Sequence, residues 1–223
     1  MPRRLLDPVR TLALTALLAT AAAGAQRPLV VSGAIPNPTG KEATIVAWLG
    51  HLDVSASGVI AYGPISAAGA FEIELPGTVV GDALQTIELK KLCVSGGQEF
   101  QLSPTGVDHA LVNTVAAFDM TKTPVSAILA SSPDFVARLE ADKTDVRVGD
   151  ALGYYLYVSD RITVRGTCVG ADGLTVTYDL SASAGWNRLA YEFEAAGDGV
   201  RGVLRTVRDF PAGMSWVALN DYQ

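Results

Sequence analysis

Residues 153 to 194 read "GYYLYVSDRITVRGTCVGADGLTVTYDLSASAGWNRLAYEFE", four short runs, of which the last three alternate apolar and polar residues. Each run closes on Asp, Gly or Ser within about ten residues, the spacing of successive short strands. A period of two is buried by a strand with one dry and one wet face, not by a helix of period 3.6. The predicted strands lie near 152–158, 161–168, 173–181 and 186–194. Ile162 and Val164 point one way, and Arg161, Thr163 and Arg165 the other. A further strand is expected around Trp216–Leu219, after the "FPAG" turn at 210–213. Strands spaced in this way specify a sandwich or a barrel.

The same punctuation governs the earlier part of the chain. "LVVSGAI" runs into Pro36-Asn37-Pro38-Thr39-Gly40, a loop because two prolines lack ladder donors. "ATIVAWL", residues 43–49, is apolar on both faces and suits a covered central strand. After a turn at Ser66–Gly69, Phe71, Ile73 and Leu75 alternate with Glu72 and Glu74, as in a half-buried strand. Ile87 and Leu89 keep one parity and Leu92 and Val94 the other, so Lys90-Lys91 is expected to be a β-bulge or, alternatively, a strand end. "LVNTVAAFDM" reads as another strand. In "SSPDFVARLEADK", Ser132, Pro133 and Asp134 fill helix-start positions, with Phe135 and Leu139 one turn apart, so one short helix is predicted there. The expected fold is all-β: two β-sandwich-like domains, 26–102 and 103–223, with at most one short helix.

The order of "SGAI", "ATIVAWL" and the "GPISAAGAFEIELP" hairpin resembles the transthyretin-like or carboxypeptidase-regulatory-like β modules of bacterial secreted proteins. That resemblance covers about 50 residues, implies a structural or binding accessory, and brings no catalytic residues. The segment holding Tyr157–Arg161, Thr177–Leu180 and Gly185-Trp186-Asn187 is similar to the C-terminal region of uncharacterised bacterial secreted proteins with a GWN-hairpin β domain. It implies architecture and no mechanism.

Residues 1–25 have the form of an export signal: a basic start with Arg3, Arg4 and Arg10, the apolar "TLALTALLATAAAG", and small residues Ala23-Gly24-Ala25 before the expected cleavage. The apolar run falls short of the roughly 20 residues a membrane-spanning helix needs, and no transmembrane segment is expected in the mature chain. The expected location is periplasmic, cell-envelope or extracellular. Cleavage would remove three arginines and Asp7, taking the formal net charge from −6 to −8. Such an acidic chain repels phosphate backbones, which excludes nucleic acid as a partner. The only cysteines, Cys93 and Cys168, would close a loop of about 75 residues if paired, which stabilises by about 4 kcal/mol on the loop-entropy model. Two buried thiols that never meet are the alternative, and the sequence leaves both open.

A search for chemistry returns little. His51 and His109 lack a second histidine at metal-ligand spacing, and HExxH is absent. Asp53 and Asp108 lie beside them in sequence, but no G-x-S-x-G elbow presents a serine, and Ser183 and Ser215 fit a turn and a strand. Glu140, Asp142, Asp145 and Asp150, then Asp172 and Asp198, cluster without calcium-loop spacing and read first as solvated loops. Nothing marks a phosphate-cradling loop or a hydrolytic carboxylate pair. No cofactor or metal is expected.

Trp186 is out of step. Strand parity sets it with Arg188 and Ala190, opposite Leu189, Tyr191 and Phe193. It is either a platform, with Arg188 stacked on the indole, for a sugar or a protein, or a packing device turned inward by a bulge at Gly185-Trp186-Asn187. The functional expectation is an exported, non-enzymatic binding or envelope-associated structural protein whose partner is an envelope protein or glycan. The alternatives are a carbohydrate- or peptidoglycan-binding module using Trp186, Tyr154 or Trp216, and a carboxylate-based hydrolase.

Overall fold

The structure, a computed structural model, describes residues 28–37, 40–49, 58–87, 101–119, 122–169, 173–197 and 199–219. The expected export signal, the bulge at Lys90-Lys91, His51, Asp53, Cys93, Asp172 and Asp198 all lie outside the described residues. Within them the protein is all-β, with a single α-helix. The strands are β1 (Leu29–Ala34), β2 (Ala43–Leu49), β3 (Val59–Ile65), β4 (Ala70–Leu75), β5 (Gln85–Thr86), β6 (Gln101–Ser103), β7 (Asp108–Asp119) and β8 (Lys122–Ala130). Helix α1 (Pro133–Ala141) precedes β9 (Ala151–Val158), β10 (Ile162–Val169), β11 (Thr175–Ala182), β12 (Gly185–Ala196), β13 (Gly199–Val207) and β14 (Ser215–Ala218). No helix among the described residues is long and apolar enough to cross a membrane.

Alternation does what its period demands. Phe71, Ile73 and Leu75 are buried and Glu72 and Glu74 exposed; Ile162 and Val164 are buried and Arg165 exposed. β2 is covered on both faces: Ile45 and Ala47 enter the largest core, while Val46 and Trp48 pack with Ala116 and Phe118 on the other side. α1 starts where its cap chemistry directs, with the Phe135 N–H donating to Ser132 Oγ at 3.1 Å and Pro133 in the first turn. Phe135 and Val136 are fully buried on its inner side.

The strands join into one hydrogen-bonded sheet in the order β1, β4, β3, β2, β7, β8, β9, β12, β13, β11, β10, β6, with β14 added to β8 and β5 to β7. β7 is the junction. Along one edge its residues 112–118 pair with β2; along the other, 109–112 pair with β9 and 114–119 with β8. The ladder is therefore continuous across the expected division at 102/103. The largest core is shared too: Val31, Ile45 and Ile73 pack with Val115, Leu129 and Trp216. A second core gathers Val158, Ile162, Val164, Cys168, Tyr178 and Leu189, and a third, smaller one joins Phe135 and Val136 to Phe193.

One expected pairing is corrected. β11 and β12, read as a hairpin through "GWN", do not pair with each other: β13 lies between them, parallel to β11 (Val176↔Gly202) and antiparallel to β12 (Tyr191↔Leu204). β13 was not anticipated, because Gly199, Gly202, Arg201 and Arg205 break its apolar alternation. β8, with Pro124 near its start, was missed for a similar reason.

The β3–β4 turn closes through Ser66 N–H to Ala70 O and Gly69 N–H to Ser66 O, both 2.9 Å. Gly69 has φ +86°, and a Cβ there would stand 1.9 Å from the Ile35 carbonyl oxygen. Gly40 also has a positive φ, +64°, but open space around it. Gly69→Ala is therefore expected to lower the unfolding free energy by more than the about 1–3 kcal/mol of left-handed strain, and Gly40→Ala by no more than that strain. Urea denaturation of the two variants checks the difference.

Candidate functional site

The corner at Gly185-Trp186-Asn187 is built from side chains that stand in for ladder bonds. Gly185 takes φ +95° where the chain leaves the two-residue link after β11. Asn187 then braces the turn: Ser183 N–H donates to its Oδ1 at 3.0 Å, and its Nδ2 donates to Ser183 O at 2.7 Å and Gly185 O at 2.9 Å. No bulge falls here, since β12 pairs with β9 in unbroken register from Gly185↔Val158 to Glu192↔Ala151. Trp186 keeps the parity opposite Leu189, and that face is itself covered. Its ring meets Tyr157 edge-on at 5.4 Å, and its Nε1 donates to the Pro76 carbonyl at 2.7 Å. The indole thus docks on the end of β4, 110 residues away in sequence. Arg188 lies beside its cross-strand neighbour Tyr155 and donates to Arg208 O at 3.3 Å. Burial raises the Tyr155 phenol above its ordinary range, and Arg188 pulls it partly back. Trp216 is similarly committed, 7% exposed, edge-on to Phe71 and donating to Ser32 O at 3.2 Å.

The acidic loop after α1 is organised by Arg138. Its Nη2 donates to both Asp150 oxygens at 2.9 Å, its Nη1 to Asp145 O at 2.6 Å, and its Nε to Asp134 at 3.1 Å. Asp150, 8% exposed, also accepts the Arg147 N–H at 2.7 Å. These carboxylates hold the guanidinium charged, the Asp150 hydrogen bond most strongly. Asp142 accepts the Thr144 N–H and hydroxyl, which pull its carboxyl below the ordinary range. Each of these carboxylates is taken by a protein donor, and no cluster of His, Cys, Asp or Glu suited to a metal occurs among the described residues. His109 donates from Nδ1 to Gln85 O, while Asp108 accepts the Thr86 hydroxyl at 2.7 Å instead of orienting the imidazole. Cys168 is buried in the second core.

Between α1 and the sheet lies a cavity of about 530 Å³. Its floor comes from three neighbouring strands: Thr114 of β7, Ile128 and Leu129 of β8, Leu152 and Tyr154 of β9. Val136 and Leu139 of α1 form the opposite wall, β12 adds Tyr191 and Phe193, and Leu174 and Leu219 close the sides. Polar groups are few. The buried Thr114 hydroxyl donates to Asn113 Oδ1 at 3.1 Å, and Glu140 and Lys143 stand at the end of the helix. Burial first, and Tyr191 second, push the Tyr154 phenol far above its usual range, so it stays protonated. The Tyr191 ring is placed by Gly202, where an added Cβ would lie 2.3 Å from it. The clamp on Arg138 and the edge-on contact of Phe135 with Phe193 at 5.8 Å fix α1 as the wall.

Of the candidate site residues singled out from the sequence, Tyr154 and Glu140 line this cavity; Trp186, Arg188 and Trp216 are used in packing elsewhere. The cavity escaped sequence reasoning because its walls come from separate elements, although "ALGYYLYV" in β9, apolar on both faces, signals that both are covered. No family model, curated protein or solved structure matches the chain.

If Asn187 is the brace of the corner, Asn187→Ala should lower stability by roughly 1–2 kcal/mol through its lost hydrogen bonds. Asn187→Asp, whose second carboxylate oxygen would face the Ser183 and Gly185 carbonyls that the amide now bonds, should lose at least as much. Equilibrium denaturation followed by tryptophan fluorescence separates the three proteins.

Proposed function

We propose that the protein is an exported, non-enzymatic binding protein that holds a small molecule in the cavity between α1 and the sheet. The observation that carries this reading is the cavity itself: about 530 Å³, walled mainly by aliphatic and aromatic side chains from α1, β8, β9 and β12, with a few polar groups facing it. Sites for small molecules have this size and this mixture, about 300–1,000 Å³ and mainly apolar. The non-enzymatic part is supported by the engagement of Asp142, Asp145, Asp150 and Glu194 with protein donors. Export is supported by the form of residues 1–25. In an oxidising compartment Cys93 and Cys168 pair, and the disulfide fastens β10 to the segment after β5.

The reading is tested by titrating the purified protein with apolar fluorescent dyes, uncharged, anionic and cationic. At least one should saturate at one per chain, with intermolecular Overhauser effects to the Ile128 and Leu139 methyl groups, and Leu139→Trp should weaken it at least tenfold. The mass of the same unreduced sample should be lower by two hydrogens than after reduction. Saturable binding of oligosaccharides that disappears in Trp186→Ala, with no dye bound, would overturn the proposal in favour of a glycan module.

A further inference from the structure

The chemistry of the cavity wall narrows the occupant. Resting on the reading of this cavity as a binding site, we propose that the ligand is an uncharged lipophilic molecule, with a ring-bearing or branched hydrocarbon body and one hydroxyl, carbonyl or amine group.

A dry apolar cavity of about 150 Å³ already accepts a benzene-sized ring. One of about 530 Å³ takes a larger body. Its wall offers Ile128, Leu139, Leu152, Leu174, Phe193 and Leu219 as apolar surface, which suits hydrocarbon. A sugar ring would leave its hydroxyls facing these side chains without partners, a cost of about 1–3 kcal/mol for each unsatisfied group.

A charged head is no better served. The lining carries one carboxylate and one ammonium, Glu140 and Lys143, and no cluster of either sign. An anion would meet a chain whose formal net charge is −6 and a wall that includes Glu140. A cation would need a carboxylate partner to offset its desolvation, and Glu140 is already engaged within the protein. What remains are uncharged groups: the Asn113–Thr114 pair and the phenol of Tyr154. A phenol both donates and accepts, so it matches a hydroxyl, a carbonyl or an amine N–H.

The experiment uses a matched series on one ring system: N-phenyl-1-naphthylamine, its sulfonate 8-anilinonaphthalene-1-sulfonate, and the corresponding trimethylammonium derivative. The uncharged amine is expected to bind at one per chain and at least tenfold more tightly than either ion. Tyr154→Phe should weaken it about 3–10-fold, the size of one hydrogen bond, with the thermal midpoint of the protein unchanged. If either ion binds as tightly as the amine, the uncharged class is wrong while the cavity remains a binding site. If none of the three binds, or if bound amine shows no Overhauser effect to the Ile128 or Leu139 methyl groups, the binding reading itself fails. Those effects are read on the unsubstituted protein, so no folding defect can mask them.

Discussion

Backbone hydrogen bonds along both edges of β7 hold this protein together. A twelve-residue strand is long enough to serve two partners on one side, and β7 does so, meeting β9 with its first residues and β8 with its last while β2 runs along the opposite edge. Every strand from β1 to β4 reaches the rest of the sheet through that β2–β7 ladder. Because side chains alternate along a strand, the same element feeds Val115 and Ala117 into the largest core while Ala116 packs on the other side against Trp48.

Where the ladder stops, side-chain polar groups take over its work. Asn187 supplies both a donor and an acceptor at the corner into β12, Ser132 caps α1, and Asp150 gathers Arg138 and the Arg147 N–H at the loop beyond it. Each answers the same constraint, that partly buried backbone and charged groups need partners. The consequence is positional. α1 is pinned at both ends by its own polar residues, and that fixes it at the distance from the sheet that leaves the cavity open between them.

What the sequence made legible is local. Phe71, Ile73 and Leu75 declare their buried face through period two, and Ser132-Pro133-Asp134 announces a helix through cap chemistry that depends on three consecutive residues. What it hid is non-local. The insertion of β13 between β11 and β12 cannot be read from a two-residue link, since adjacent strands usually pair directly. Trp186 was legible as anomalous, but its resolution, a hydrogen bond to Pro76 and a ring contact with Tyr157, depends on which distant segment covers that face. The cavity needs residues from β7, β8, α1, β9 and β12 at once, and no spacing rule links them.

The account makes the two halves of the chain one cooperative unit, joined by the β2–β7 ladder and a shared core. Native-state amide hydrogen exchange as a function of denaturant measures this directly. Amides in β2, β7 and β12 should exchange through one opening reaction, with the same free energy and the same denaturant dependence. An opening that exposes Leu29–Leu75 at distinctly lower free energy, while β8 to β13 stay protected, would contradict it.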